Sequence, residues 1–267
     1  MIFLSKPRHR VTRFKYSLLV FFPLVFLQPC DATENAIGVW TYLDRAIEKA
    51  AGGDHTSALR EISRALAKNP NIPDAYLFRG ISQAALRRYP EAIRAYTKAI
   101  KLKSNFAAAY LNRGQAQGML GNYAGQLEDS SQAIRLAPAY AEAFINRGLA
   151  KTKLYDVKGA YDDYSQAIKL NPQEAFAYYC RAITKTKLGD GRGAIIDVQQ
   201  GLNNGTDATI KDFSDAIEMN PADSDWYIAR GLVLLVLKNK ESALKNFETV
   251  IHIDPTLKPL LERLSLY

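Results

Sequence analysis

A 34-residue repeat constrains this chain more than any other feature. An arginine followed by glycine or alanine returns at that interval, an alanine follows about a dozen residues later, and units close on A-I-x-L-x-P or a near variant. Units begin at Val39, Pro73, Ala107, Ala141 and Ala175, and a sixth begins 15 residues late at Ser224. Five evenly spaced starts do not arise by chance, and a chain with such a period folds as stacked copies of one supersecondary unit.

The arginines are Arg45, Arg79, Arg113, Arg147, Arg181 and Arg230, each followed by a tiny residue (Ala46, Gly80, Gly114, Gly148, Ala182, Gly231). An aromatic stands three residues before each arginine: Tyr42, Tyr76, Tyr110, Phe144, Tyr178 and Tyr227. Aromatic and tiny residue are therefore i and i+4 on one helix face, a helix that another can approach closely. A second apolar run carries Ala58, Ala92, Ala160, Ala194 and Ala243, then Ala65, Ala99, Ala133, Ala167 and Val250. It ends at Pro70, Pro138, Pro172 and Pro255, with Ser104 once in place of proline. A helix stops before such a proline, which lacks the amide donor and clashes with the preceding turn.

Two helices per 34 residues with this signature resemble the tetratricopeptide repeat, most fully from Ala141 to Pro172. The resemblance covers about Val39 to Leu257. It implies an all-α fold, a right-handed superhelical solenoid of antiparallel helix pairs with a C-terminal capping helix. The units are 39–72, 73–106, 107–140, 141–174, 175–223 and 224–257, preceded by a linker at 33–38 and followed by the cap at 258–267. The family's first-helix tryptophan and leucine are replaced here by aromatics and arginine. Gln126 at an alanine position and Gly201 in the fifth unit are larger departures, marking irregular packing.

The fifth unit is longer because its second helix is duplicated. Both Gly193–Asn204 and Ala208–Pro221 align with the second helix of the preceding unit, separated by the breaker and cap cluster Asn203, Asn204, Gly205, Thr206 and Asp207. Three helices in one unit change the parity of an up-down stack, which predicts a kink or protrusion. Beyond Pro255, Leu257, Leu260, Leu261 and Leu264 mark a short amphipathic helix, expected to cover the apolar face of the last repeat.

The first 32 residues differ in kind. Lys6, Arg8, Arg10, Arg13 and Lys15 precede the apolar run Ser17–Leu27, and Cys30-Asp31-Ala32 offers a cleavage site before Thr33. This is the order of a secretory signal, and the run is shorter than the roughly 20 residues that span a bilayer. The expectation is an exported protein, periplasmic or secreted, with residues 16–30 as a membrane tether if the segment is retained. The formal charge of +8 includes five bases and one acid in residues 1–32, which leaves +4 after removal. That is mild for a nucleic-acid reader, and no basic stripe with interleaved aromatics stands out. Cys180 then remains alone, so no disulfide framework is available.

Chemistry is sparse. His9, His55 and His252 lie at no metal or triad spacing, and no phosphate loop or cysteine pair occurs. No cofactor, metal or enzymatic activity is expected. The arginines should pair with acids. One pattern places the acid 18 residues earlier (Glu61 with Arg79, Asp129 with Arg147, Asp163 with Arg181, Asp212 with Arg230), forming a ladder between units. The alternative pairs within units (Arg45 with Glu61, Arg113 with Asp129, Arg147 with Asp163, Arg181 with Asp197). The placing of Asp212 and Arg230 across the interruption favours the ladder.

The resemblance further implies that the first helices line a concave surface that receives a peptide or helix. Carried over by position, the partner-binding residues are Leu77, Phe78, Ile81, Leu111, Asn112, Gln115, Ile145, Asn146, Leu149 and Tyr179, with Leu43, Ile47, Ile183 and Ile228 on the same face. Asn112 and Asn146 suit an extended backbone, since an amide both donates and accepts. The lysine, asparagine and arginine clamp of chaperone-binding relatives is absent. The sequence therefore predicts a non-catalytic protein-interaction scaffold in a bacterial envelope assembly. An accessory subunit of an envelope enzyme and a carrier of hydrophobic peptide or lipid are the alternatives.

Overall fold

A computed structural model describes residues 34–204 and 209–264. Residues 1–32, expected as a signal or anchor, Thr33, residues 205–208 and residues 265–267 lie outside the described residues. The described chain is helical: α1 Glu34–Ala51, α2 His55–Lys68, α3 Pro73–Ala85, α4 Tyr89–Leu102, α5 Ala107–Met119, α6 Tyr123–Leu136, α7 Ala141–Lys153, α8 Val157–Leu170, α9 Ala175–Lys187 and α10 Gly191–Asn204. There follow α11 Thr209–Met219, α12 Ser224–Val236, α13 Lys240–Ile253, a 3₁₀ turn Pro255–Leu257 and α14 Lys258–Leu264. Residues 34–38, expected as linker, are the beginning of α1, since Glu34-Asn35-Ala36-Ile37 holds no residue that breaks a helix.

Each hairpin turns on one left-handed residue. Gly53, Gly121 and Gly189 take it at φ +78 to +85°, while Arg87, Tyr155 and Lys238 take the equivalent place at φ +59 to +64°. The following amide reaches back to the first helix, as Asp156 N does to Lys151 O at 2.9 Å, and so satisfies a carbonyl that the helix end would orphan. Asp54, Asn122, Asp156 and Asn239 then cap the second helices, each accepting from the amide three residues on.

Inside each hairpin the tiny residue is matched to the side chain 16 residues later. Gly80 faces Tyr96, Gly148 faces Tyr164 and Gly231 faces Phe247; a Cβ on Gly148 would lie 2.6 Å from the Tyr164 ring. Where the partner is Ile62 or Val198 the tiny residue is alanine, Ala46 or Ala182, while a Cβ on Gly114, opposite the small Ser130, would instead meet Asn146 and Asp129 at 3.2 Å.

Three of the arginines pair with an acid of their own unit, whereas Glu61, the expected partner of Arg45, binds Lys49 at 3.3 Å and Arg64 at 2.8 Å instead, and Arg230 donates to Asn246 Oδ1 at 2.9 Å. Arg113 binds Asp129 at 2.7 Å, Arg147 binds Asp163 at 2.6 Å and Arg181 binds Asp197 at 2.7 Å. The expected 18-residue ladder does not form among the described residues, because the nearest place on the preceding second helix lies 16 residues back and carries a hydroxyl. Arg79 donates to Ser63, Arg113 to Thr97, Arg181 to Ser165 and Arg230 to Ser214, at 3.0 to 3.3 Å. The guanidinium also lies over the aromatic three residues earlier, 5.5 to 5.8 Å from the ring centre in α3, α5, α7, α9 and α12. One side chain thus ties three helices. The hydrogen bond to Asp129, and that to Asp197, raise the pKa of Arg113 and Arg181 respectively.

The duplicated helix inverts the stack. α10 pairs with α9 as its second helix, whereas α11 packs against α12, supplying Ser214 to Arg230. The N-terminus of α12 then meets the C-terminal ends of α7 and α9, where Lys153 pairs with Asp223 at 2.6 Å and with Asp225 at 3.2 Å, and Lys187 pairs with Asp225. In a simple continuation, like ends of first helices would lie together; here opposite ends do. α14 contacts α9 and α10 and buries Leu261 and Leu264 in the core that they share with α12 and α13. It covers more than the last repeat because the last hairpin has turned back.

Candidate partner-binding groove

The groove is built from the exposed strips of the first helices, and their spacing decides what reaches solvent. Of the ten residues assigned to partner binding, Leu77, Phe78, Ile81, Leu111, Asn112, Ile145, Asn146 and Tyr179 are buried, and only Gln115 and Leu149 are half-exposed. Leu43, Ile183 and Ile228 are buried too, and Ile47 is half-buried. Each first helix packs chiefly against the second helices of its own and the preceding unit, and these side chains are taken up in that packing.

The two asparagines are packing residues. Asn146, 3% exposed, donates to Ser130 Oγ at 2.8 Å and accepts from Gln126 Nε2 at 2.7 Å. Asn112, 5% exposed, donates to the Ala108 carbonyl at 2.7 Å on its own helix. Ser130 stands where Tyr96 and Tyr164 stand in the neighbouring units, and Gln126 where those units carry Ala92 and Ala160. Gln126 and Asn146 fill the space that the missing ring leaves, and Gly118 makes room for the glutamine. The irregular packing expected at Gln126 is a buried, hydrogen-bonded cluster.

Over α7 and α9 the strip is covered by the chain itself. Tyr179 meets Phe213 of α11 edge-on at 5.5 Å, Phe213 stacks on Trp226 at 6.3 Å, and Trp226 stacks on Phe176 at 6.5 Å. Asp225 is buried between two lysines; burial works against its charge, but Lys187 and Lys153 outweigh it and hold the carboxyl below its ordinary value. Burial likewise lowers the Lys153 ammonium, yet Asp225 and Asp223 carry it above the usual lysine value. Leu149, Thr152, Tyr164, Cys180 and Ile183 wall the small cavity beside Trp226 and Asp225. Burial pushes the Cys180 thiol well up, which suppresses thiolate reactivity.

Sequence reasoning missed this closure. Its readable signal was the pair Lys153 and Lys187 at the ends of consecutive first helices, together with Asp223-Ser224-Asp225-Trp226. On the first three hairpins the strip carries half-buried Trp40, Ile47, Asp74, Ala108 and Gln115 and exposed Met119, and at its edge Arg87, in the turn after α3, reaches Met219 Sδ of α11 at 3.7 Å. Among the described residues no cluster of histidine, cysteine or carboxylate side chains could hold a metal ion, and no helix is long and apolar enough to cross a membrane.

Comparison with known proteins agrees with this architecture. Residues 84–121 match the model of the TPR repeat family, and no curated protein matches the chain. Among solved structures, the Pseudomonas aeruginosa pilF protein superposes with a TM-score of 0.65 at 15% identity, over 88% of this chain and 100% of that one. The Cut9–Hcn1 hetero-tetramer of the APC/C gives 0.61 at 21% identity, over 85% of this chain and 42% of that one. MamA from Desulfovibrio magneticus RS-1, from residue 41 to its end, gives 0.57 at 20% identity, over 65% and 97%. The fold is a TPR-type solenoid.

Proposed function

We propose that this protein is a non-catalytic interaction scaffold that receives a peptide or helix of a partner protein on the strip formed by α1, α3 and α5. The observation that carries this reading is the closure over α7 and α9. Phe213, Trp226 and Asp225 occupy the second half of the groove with core-like packing, so a partner has only the first half to enter. Trp40 and Met119 supply apolar contact there, and Gln115 and Asp74 supply polar partners. Export and a bacterial envelope setting belong to the same proposal, supported by the order of bases and apolar residues before Thr33. A photo-crosslinking residue placed at Gln115, in the native host, should capture a protein partner, while the same residue at Leu149 should capture none. Capture at Leu149 with none at Gln115 would overturn the assignment.

A further inference from the structure

Positive charge is dense from α2 to α4, and six of its cations lie in two rows on the second helices. Residues 55–106 contain ten lysines and arginines against three acids. On α2 the exposed cations are Arg60, Arg64 and Lys68; on α4 they are Arg94, Lys98 and Lys101. Both sets recur every three or four residues, so each forms one row along its helix. The rows share a register: Arg94 lies 34 residues after Arg60, and Lys98 lies 34 after Arg64. They stand on second helices, away from the groove strip.

The scaffold does not require these cations. The second helices α6, α8 and α10 carry Glu128, Asp162 and Ile196 at the place of Arg60 and Arg94, and Gln132, Gln166 and Gln200 at the place of Arg64 and Lys98; α11 and α13 carry Lys211 and Lys245 at the first place but Asp215 and Thr249 at the second, so only α2 and α4 hold cations at both. Local neutralisation is slight: Arg64 meets buried Glu61 at 2.8 Å, and Arg94 meets Glu91 at 3.1 Å.

We infer that the outer face of α2 and α4 docks on an anionic lipid surface. Single-stranded nucleic acid would want exposed aromatic faces free to stack its bases, but Tyr96 is fully buried, Tyr89 is half-buried, and the half-buried rings of Tyr42 and Tyr76 are already faced by Lys68 at 5.9 Å and Lys98 at 6.0 Å. A specific protein interface would want an apolar or aromatic anchor at its centre, and the exposed part of the two rows offers long cationic side chains instead. A bilayer of acidic headgroups needs only the charge. Position agrees as well. The rows belong to the hairpins nearest in sequence to the apolar run Ser17–Leu27 with its five preceding bases, whereas residues 209–267 hold nine acids against seven lysines and arginines. This inference stands apart from the groove reading, whose strip lies on other helices.

The test is flotation of the full chain with vesicles of phosphatidylglycerol or of phosphatidylcholine alone. The apolar run Ser17–Leu27 contributes equally to both vesicles, and the five bases before it contribute equally to parent and variant, so the readout is the difference in anionic preference between parent and variant. Changing Arg60, Arg94, Lys98 and Lys101 together to glutamine should reduce that preference by about tenfold or more, taking the usual gain per basic residue near an acidic membrane. A control changing Lys158, Lys169, Arg192 and Lys240 to glutamine should keep most of it. Circular dichroism and melting verify folding; should the quadruple variant unfold, the double changes of Arg60 with Arg94 and of Lys98 with Lys101 to glutamine serve in its place, each expected to lower the preference by a smaller factor. No preference in the parent, or an undiminished one in a folded quadruple variant, would overturn the inference. So would retention on an acidic protein or a nucleic acid without any preference for phosphatidylglycerol.

Discussion

Helices α10 and α11 are two copies of one sequence motif with different fates. Asp197 of α10 lies in a bidentate pair with Arg181, whereas Asp212, its counterpart in α11, is buried with Oδ2 lacking any hydrogen-bond partner. The reason is the absence of a first helix for α11: sixteen residues before Asp212 stands Ile196, on α10, instead of an arginine. A hairpin motif can be copied by half, but its electrostatics cannot. The apolar side adapts better, because Tyr179 of α9 serves both copies, its ring against Gly201 of α10 on one side and Phe213 of α11 on the other.

The comparison can be broken at three places, in decreasing order of effect. Asp225→Ala removes the carboxylate that holds α12 against Lys187 and that shares Lys153 with Asp223; leaving Lys187 unpaired in a largely buried site should cost about 3 kcal/mol. Urea unfolding that shows a loss under about 1 kcal/mol would mean that the aromatic stack alone seats the inverted hairpin. Gly201→Ala places a methyl 2.7 Å from the Tyr179 ring and should cost about 1 to 3 kcal/mol by overpacking. An unchanged melting temperature would show that the ring is free to move and that the two copies are not coupled through it.

Asp212→Asn should have the smallest effect and the opposite sign, a gain of about 1 kcal/mol at neutral pH. Desolvation, with repulsion from Asp215, lifts the Asp212 carboxyl from 3.8 to about 6. Between those values the folded chain holds a proton that the unfolded chain has released, so stability falls as pH rises through that window and the penalty is constant above it. The gain from asparagine should therefore be absent near pH 3, grow up to about pH 6 and level off. Melting temperatures of parent and variant that run parallel across this range would place a hidden partner beside Asp212.

The architecture was legible from the repeat because each signature side chain meets another at a fixed distance in the same hairpin, as Gly148 meets Tyr164 and Arg147 meets Asp163. Contacts between hairpins were harder to read. Asn146 looked like a groove amide until its partners Gln126 and Ser130, both one unit earlier, were seen to replace a ring. Gly201 reads as a packing flaw because the hairpin's usual order is reversed there: the ring, Tyr179, comes from the first helix and the glycine from the second. The site suffered most, since which part of the strip remains open depends on Lys153 meeting Asp223 across 70 residues, a distance no periodic pattern encodes.

That same pair changes how the molecule should come apart. A linear repeat array loosens from its ends, each terminal unit opening at little expense to the next. Here the last hairpin is fastened to α7 and α9, so releasing it means giving up contacts in the middle of the array as well. Opening of α12 and α13 becomes a sub-global event, and their amide protons should exchange about as slowly as those of α9. The C-terminus behaves as a clasp on a closed ring of contacts.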